Sequence, residues 1–257
     1  MKTRTLMITA LVAGIAVPAV AEPMRPLLTK ENKFPDVGQA ELGALVQFKE
    51  FSDENEQMKT SDANQWVVTP TLRYMASENL AFVLDVPFGG LDPDNGSSES
   101  GLGDIGVGVQ FRVYEHFFRF PYIIPYANLL FDTGEEKALL GDRDDSLLIG
   151  VTVGSQVYDV PWYVNFDANY EVLQDSENIA KFAASVIWEI SPQFSLLAEA
   201  SLSDEDLRLL GVDEHPAVFQ GGAFFKSSDV TTLGLYGSGT KNAGEDNSVG
   251  VRIVHDL

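Results

Sequence analysis

The chain has 257 residues and no Cys, and its 38 Asp and Glu outnumber its 17 Lys and Arg, which gives a formal net charge of -21. The lack of Cys excludes disulfide scaffolds, Cys zinc sites and thiol nucleophiles. The acidic balance argues against a nucleic-acid-binding protein, because contacts to phosphates need a surplus of Lys and Arg.

The first 21 residues have the pattern of a secretory signal peptide. Lys2 and Arg4 precede an apolar run, and the small-x-small sequence at 19–21 is a cleavage site. The apolar run is shorter than the roughly 20 residues that a membrane-spanning helix needs. We therefore expect residues 1–21 to be removed and the mature chain to fold outside the cytoplasm.

A leader follows at 22–37, with three prolines, mixed charge and little periodicity. We expect no strand in this segment. It is either a disordered tail or a plug that folds back over the domain that follows, with Leu27 and Leu28 as its apolar contacts.

From residue 38 onward, polar and apolar residues alternate with the period of two that is typical of strands with two different faces. At 162–172, for example, Phe166 and Tyr170 share one face while Asp167 and Glu171 share the other. The pattern predicts about twelve strands, at roughly 39–51, 64–75, 80–88, 103–114, 120–132, 145–157, 162–172, 179–190, 194–203, 216–226, 231–239 and 247–257.

The connections between these strands are alternately long and short. Outer-membrane barrels have short turns on the periplasmic side and longer loops outside, with an even number of strands. Each strand is also close to the length of a tilted strand that crosses a bilayer. We therefore predict an all-β, monomeric, transmembrane antiparallel up-and-down barrel over residues 38–257. The long connections are predicted at about 52–63, 90–102, 133–144, 173–178, 204–215 and 240–246.

Aromatic residues near both strand ends, acidic residues concentrated in the long connections and a nearly uncharged apolar face support a membrane barrel. A soluble periplasmic sandwich or binding barrel shows the same alternation and is the alternative fold. A membrane barrel implies outer-membrane lipid and lipopolysaccharide as its surroundings, small-molecule solutes as its cargo and the barrel-assembly machinery during folding. We expect no nucleic-acid partner.

Three short segments add a resemblance. The segment 78–88 ends in Pro-Phe, 100–104 reads SGLGD at the start of a strand, and 132–135 reads DTGE at the end of one. These segments resemble the meta-pathway of phenol degradation family of outer-membrane barrel transporters. The resemblance implies a small channel that passes hydrophobic or aromatic compounds.

The sequence favours no enzyme. His116, His215 and His255 fall in different parts of the pattern, and none lies in the outer half of a strand beside a Ser with which a hydrolase would need to combine it. The segment 92–96 is similar to a calcium loop but carries Gly96 where an acid or amide is expected, so we interpret it as a turn. We predict no catalytic residue, no cofactor and no metal site.

The side chains on the polar face are the candidate functional residues, because in a membrane barrel this face lines the lumen. We expect opposite charges there to pair across a narrow lumen, either merely filling it or forming a mixed-charge constriction with tyrosines. The acids include Glu41, and the predicted lumen-lining residues are Lys49, Arg73, Asp85, Arg112, Tyr122, Tyr126, Tyr163, Asp167, Glu171, Lys181, Glu189, Glu199, Lys226, Tyr236 and Arg252.

The function predicted from the sequence is the passive passage of small molecules through an outer-membrane barrel. A structural or surface-interaction barrel with an occluded lumen and a soluble periplasmic binding barrel are the alternatives. Pro70, Pro87 and Pro125 fall within predicted strands, where Pro removes a ladder donor. They either merely set the curvature of the strands or weaken the wall locally, which would allow lateral release of apolar solutes into the bilayer.

Overall fold

The computed structural model describes residues 35–51, 63–94, 96–113, 122–135, 138, 140, 145–157, 160–174, 178–203, 217–241 and 247–257. The predicted signal peptide and nearly all of the leader lie outside these residues. The described residues contain fourteen strands: β1 (Ala40–Phe51), β2 (Ala63–Ser77), β3 (Leu80–Asp85), β4 (Phe88–Pro93), β5 (Glu99–Leu102), β6 (Ile105–Phe111), β7 (Tyr122–Phe131), β8 (Ser146–Gln156), β9 (Trp162–Leu173), β10 (Ile179–Ser191), β11 (Phe194–Ser203), β12 (Ala217–Lys226), β13 (Thr231–Lys241) and β14 (Asn247–Asp256).

The strands form one antiparallel sheet that closes on itself, because β1 pairs with β2 on one side and with β14 on the other. Two of the fourteen strands continue another strand in the wall: β4 continues β3, and β5 continues β6. β2 pairs with β3 over 71–77 and with β4 over 63–68. On the other side, β3 pairs with β6 and β4 pairs with β5. The wall therefore has twelve strands, which confirms the predicted closed antiparallel barrel.

The two faces of the wall are the reverse of those of a soluble barrel. Phe166 and Phe182 point away from the interior and are 61% and 59% exposed, whereas Asn165 between strands β8 and β10 is 0% exposed. Period-two alternation therefore assigned the faces correctly, with the apolar residues outside and the polar residues inside.

Aromatic pairs lie on the outside near both ends of the barrel. Trp162 and Trp188 stack at the short-turn end, with ring centroids 5.5 Å apart, and Trp66 meets Phe88 edge-on at 6.2 Å nearer the long-loop end. Bands of this kind occur where amphipathic rings meet a membrane interface. The described part of the chain contains no helix that is long and apolar enough to cross a membrane.

The predicted long loop at 90–102 is wrong, because strands β4 and β5 extend the wall over most of this range. Leu91 of β4 is buried on the inside with Phe51 and Ala63. The alternation is invisible in the sequence because Gly89 and Gly90 carry no side chain. A Cβ at Gly89 would overlap the neighbouring strand backbone, so the close approach requires glycine.

The predicted weak point at Pro87 is a real break, between β3 and β4. The wall nevertheless stays hydrogen-bonded across it: Val86 N donates to Pro70 O at 3.1 Å, and Gly103 N donates to Pro87 O at 2.7 Å. Pro125 lies within β7, paired with Val151 of β8. Pro87 therefore interrupts the ladder, but the hydrogen bonds beside it leave no gap in the wall at this break.

Three inward tyrosines lie across glycines on the next strand, an arrangement in which an aromatic ring covers the space of the missing side chain. The register pairs Tyr122 with Gly154, Tyr126 with Gly150 and Tyr236 with Gly250, and a Cβ on each glycine would overlap the tyrosine ring. These contacts hold the strands in register and fix the tyrosine hydroxyls inside the barrel.

Replacing Gly150 with Ala is expected to displace the Tyr126 ring and lower the unfolding free energy by about 1–3 kcal/mol, the usual cost of overpacking. Gly221→Ala is the matched control, since the nearest atom to its Cβ would be Leu197 O at 3.8 Å. Urea unfolding in detergent, followed by the heat-dependent shift in gel migration, measures both variants. Equal stability of the two variants would contradict the interlock.

Candidate functional site

The predicted lumen residues share the inward face of the wall. All but Arg112, which follows β6, lie within strands, at positions that alternate with the exposed apolar residues. Tyr126, Asp167 and Glu199 are at most 5% exposed. The alternation thus places them on the inward face, which would line the lumen of a membrane barrel.

Two pairs of opposite charges lie along the wall, between neighbouring strands, whereas the sequence predicts pairs across the lumen. Arg73 Nη2 lies 3.0 Å from Glu41 Oε1, and the two residues are direct partners on β2 and β1. Lys181 Nζ on β10 lies 3.1 Å from Glu171 Oε2 on β9. Neighbouring strands are under 5 Å apart, so a lateral partner is reached before one across the barrel.

Polar residues form a continuous row across eight strands from β9 to β2, and six of the eight are neutral side chains that are not among the predicted lumen-lining residues. Each member is the direct partner of the next, so one polar side chain per strand faces inward along a line perpendicular to the strands. Strand parity places these neutral side chains on the inward face, but their alignment in a row depends on the register between strands. Its members are Asn165, Ser185, Glu199, Gln220, Ser238, Ser248, Lys49 and Gln65.

Hydrogen bonds join several neighbours in this polar row. Asn165 Nδ2 donates to Ser185 Oγ at 2.8 Å, and Gln220 Nε2 donates to Glu199 Oε2 at 2.8 Å. All four residues are buried, from Asn165 at 0% exposed to Gln220 at 9%. The interior is therefore packed with polar side chains at this level.

Two residues of the connection after β7, Ala138 and Leu140, lie inside the barrel near the long-loop end. Gln65, the last member of the polar row, donates from Nε2 to Ala138 O at 2.8 Å, and Ala138 is 0% exposed. Leu140 Cδ2 would lie 3.1 Å from a Cβ on Gly89. Ala138 N and Leu140 N both donate to Glu135 O, and we call these three residues the inward turn. The loop that the sequence predicts at 133–144 therefore turns inward at Ala138 and Leu140.

The segments that carry the family resemblance meet at the base of this inward turn. Asp104 Oδ1 accepts hydrogen bonds from Thr133 N at 3.2 Å and Gly134 N at 2.8 Å, and Asp104 N donates to Leu140 O at 3.1 Å. Thr133 Oγ1 in turn donates to Gly103 O at 3.0 Å. The SGLGD and DTGE segments therefore act together to anchor the turn.

Asp104→Ala is expected to lower the unfolding free energy by about 1–3 kcal/mol, because two backbone N–H groups lose their acceptor. Asp92→Ala is the control: Asp92 accepts one bond, from the exposed Ser98 hydroxyl at 2.6 Å, and its loss should cost no more than about 0.5 kcal/mol. Chemical unfolding in detergent compares them. Asp104→Ala with the stability of the control would refute the anchoring role.

Two apolar clusters face the interior at opposite ends. Ile187, Leu197 and Phe224 form one towards the short turns, with Tyr163 packed against it. Phe51, Ala63 and Leu91 form the other at the long-loop end. The residues of both clusters are at most 8% exposed, so they contribute to the packing of the interior at its two ends.

The described residues bring no three His, Cys, Asp or Glu side chains together as a metal site would. His255 lies within the described residues. Its exposed Nδ1 forms a hydrogen bond with Thr231 Oγ1 at 2.9 Å. His116 and His215 lie outside the described residues.

No family model and no curated protein matches this sequence. Among solved structures, an outer membrane channel from Pseudomonas putida F1 is similar, with 14% identity, a TM-score of 0.67 and coverage of 89% of this chain and 99% of that chain. The NanC porin has 9% identity and a TM-score of 0.57, covering 84% and 100%. A KdgM porin in complex with disordered oligogalacturonate has 7% identity and a TM-score of 0.55, covering 84% and 99%. At these identities the likeness shows a shared fold.

Proposed function

We propose that this chain is an outer-membrane barrel of a Gram-negative bacterium through which small molecules pass passively. The observation that carries the proposal is the reversed wall, apolar and aromatic outside and polar and charged inside. The shared fold with outer-membrane channels and porins supports it. Membrane lipid and lipopolysaccharide would surround such a barrel, and assembly machinery would insert it.

The proposed cargo carries a hydrophobic or aromatic part. The resemblance to the phenol degradation transporters supports this class, and so does the partly exposed inward ring of Tyr163, which packs against the buried cluster of Ile187, Leu197 and Phe224. The polar row would hydrate the remaining groups of the solute. This combination favours small amphipathic molecules over long sugar chains.

Reconstitution into planar bilayers and liposomes tests the proposal. We expect discrete conductance steps, and faster liposome swelling in phenylalanine than in sorbitol. A purified barrel that needs detergent and shifts its gel migration on heating would support membrane insertion and contradict the soluble alternative. Absence of conductance and of swelling would refute passive passage.

An occluded structural barrel is the second candidate, favoured by the packed polar row and by the inward turn formed by Glu135, Ala138 and Leu140. The predicted leader bears on the same question, since a plug would occlude the barrel further. Deleting residues 22–36 should raise conductance if the leader plugs the barrel. Absence of conductance in both proteins would favour the occluded candidate.

A further inference from the structure

The inward face of β9 carries side-chain oxygens at four consecutive positions, Asn165, Asp167, Asn169 and Glu171. Alternate residues of a strand are about 7 Å apart. These oxygens therefore form a column along the wall, which we call the β9 column.

Asp167 lies in the middle of the β9 column and is 3% exposed. Its carboxylate accepts hydrogen bonds from Tyr126 Oη at 2.9 Å, from Asn169 Nδ2 at 2.9 Å and from Thr152 Oγ1. All three donors are neutral, and within the described ranges no Lys or Arg pairs with this carboxylate. A buried charge without a counter-charge costs several kcal/mol, so the site favours a cation.

The amide oxygen of Asn169, the next inward residue after Asp167 on β9, also lacks a partner. Asn169 Oδ1 has almost no contact with solvent and receives no hydrogen bond from the described part of the chain. A buried acceptor without a donor is unfavourable, and a bound donor or cation would satisfy it.

The end of the β9 column nearest the long loops already holds one ammonium group, that of Lys181. Lys181 Nζ bonds Glu171 Oε2 at 3.1 Å while Ser146 Oγ donates to Glu171 Oε1 at 2.8 Å. Asp167 and Glu171 together thus carry one negative charge more than Lys181 neutralises. A divalent metal fits poorly, because across the described residues no third acidic or His ligand joins these two.

We propose that the β9 column, centred on Asp167 and Asn169, binds monovalent cationic groups, either K⁺ or the alkylammonium group of a solute. Carboxylate and amide oxygens suit both, and spaced sites allow a cation to move from one to the next. As a conduction track this inference rests on the proposed channel function, whereas binding to the column does not.

Zero-current potentials across a KCl gradient test the track for the metal ion. Asp167→Asn should lower the K⁺ to Cl⁻ permeability ratio by at least about threefold, because one buried charge is lost. Asp167→Glu should keep the ratio and Lys181→Met should raise it. Asp92→Asn, an exposed carboxylate at the long-loop end, should have little effect. An unchanged ratio in Asp167→Asn, or an equal change in Asp92→Asn, would overturn the track.

Thermal unfolding in detergent tests binding without conduction. Ethylammonium chloride should raise the midpoint of the unmodified protein above that in tetramethylammonium chloride of equal ionic strength, because only the former donates N–H groups and a ligand of the folded state stabilises it. Asp167→Asn should lose this difference. Its persistence would overturn the site. An Asp167-dependent shift without conductance would instead refute the channel and keep the site.

Discussion

Arginine in place of Phe166 is expected to make folding into lipid less favourable by about 2–4 kcal/mol, the cost of a lipid-facing charge near the bilayer midplane. Phe166 is 61% exposed and lies well inside strand β9, with Val153 and Ala184 as its partners. The measurement is the urea dependence of folding into large unilamellar vesicles.

Phe194→Arg is the matched control. Phe194 is also outward-facing but begins β11 directly after a short turn, at the end of the barrel. A charge near the interface costs only about 0–1 kcal/mol. Depth-dependent costs would support the membrane position of the wall, whereas two equally mild substitutions would indicate that this face meets water.

Inward positions make poorer controls than the sequence suggests. Asn165 and Gly108 have the parity of a hydrated lumen, and from the sequence alone arginine there is expected to be mild. In the structure Asn165 is fully buried and bonded to Tyr122 and Ser185, and a Cβ on Gly108 would overlap the Asn128 amide. Parity gives the face of a residue but not how tightly that face is packed.

Strand number, closure and facing could be predicted because each depends on local alternation and on connection length. Contacts that depend on register could not. Tyr126 meets Gly150 and Asp167 only because β7, β8 and β9 are paired at particular offsets. A shift of one residue would turn each side chain to the other face, and no residue in the sequence states the offset.

The inward turn was beyond sequence reasoning for a different reason. Its acidic composition indicates a solvated loop, and Glu135 N bonds Leu102 O while Ala138 and Leu140 turn inward. Leu140 lies close to Gly89 and Gly103, and Ala138 bonds the Gln65 side chain. These partners are distant in the chain. Short apolar residues within an acidic loop are a weak signal until the surface that receives them is known.

Gln65→Leu is expected to widen the path by releasing the inward turn. The substitution keeps most of the side-chain volume but removes the donor to the buried Ala138 carbonyl. An unsatisfied buried carbonyl costs about 1–3 kcal/mol, which changes the ratio of inward to released turn by a factor of about 5–160. Single-channel recording should therefore show a larger open conductance than in the unmodified protein.

Gln220→Leu separates the turn from the polar row. Gln220 is a buried member of the same row, but its amide bonds Glu199, and its strand pairs with β11 and β13, away from the turn. We expect its conductance to stay near that of the unmodified protein. If both substitutions raise conductance equally, packing of the row limits passage. If Gln65→Leu does not change the conductance, the inward turn is not the narrowest point of the path.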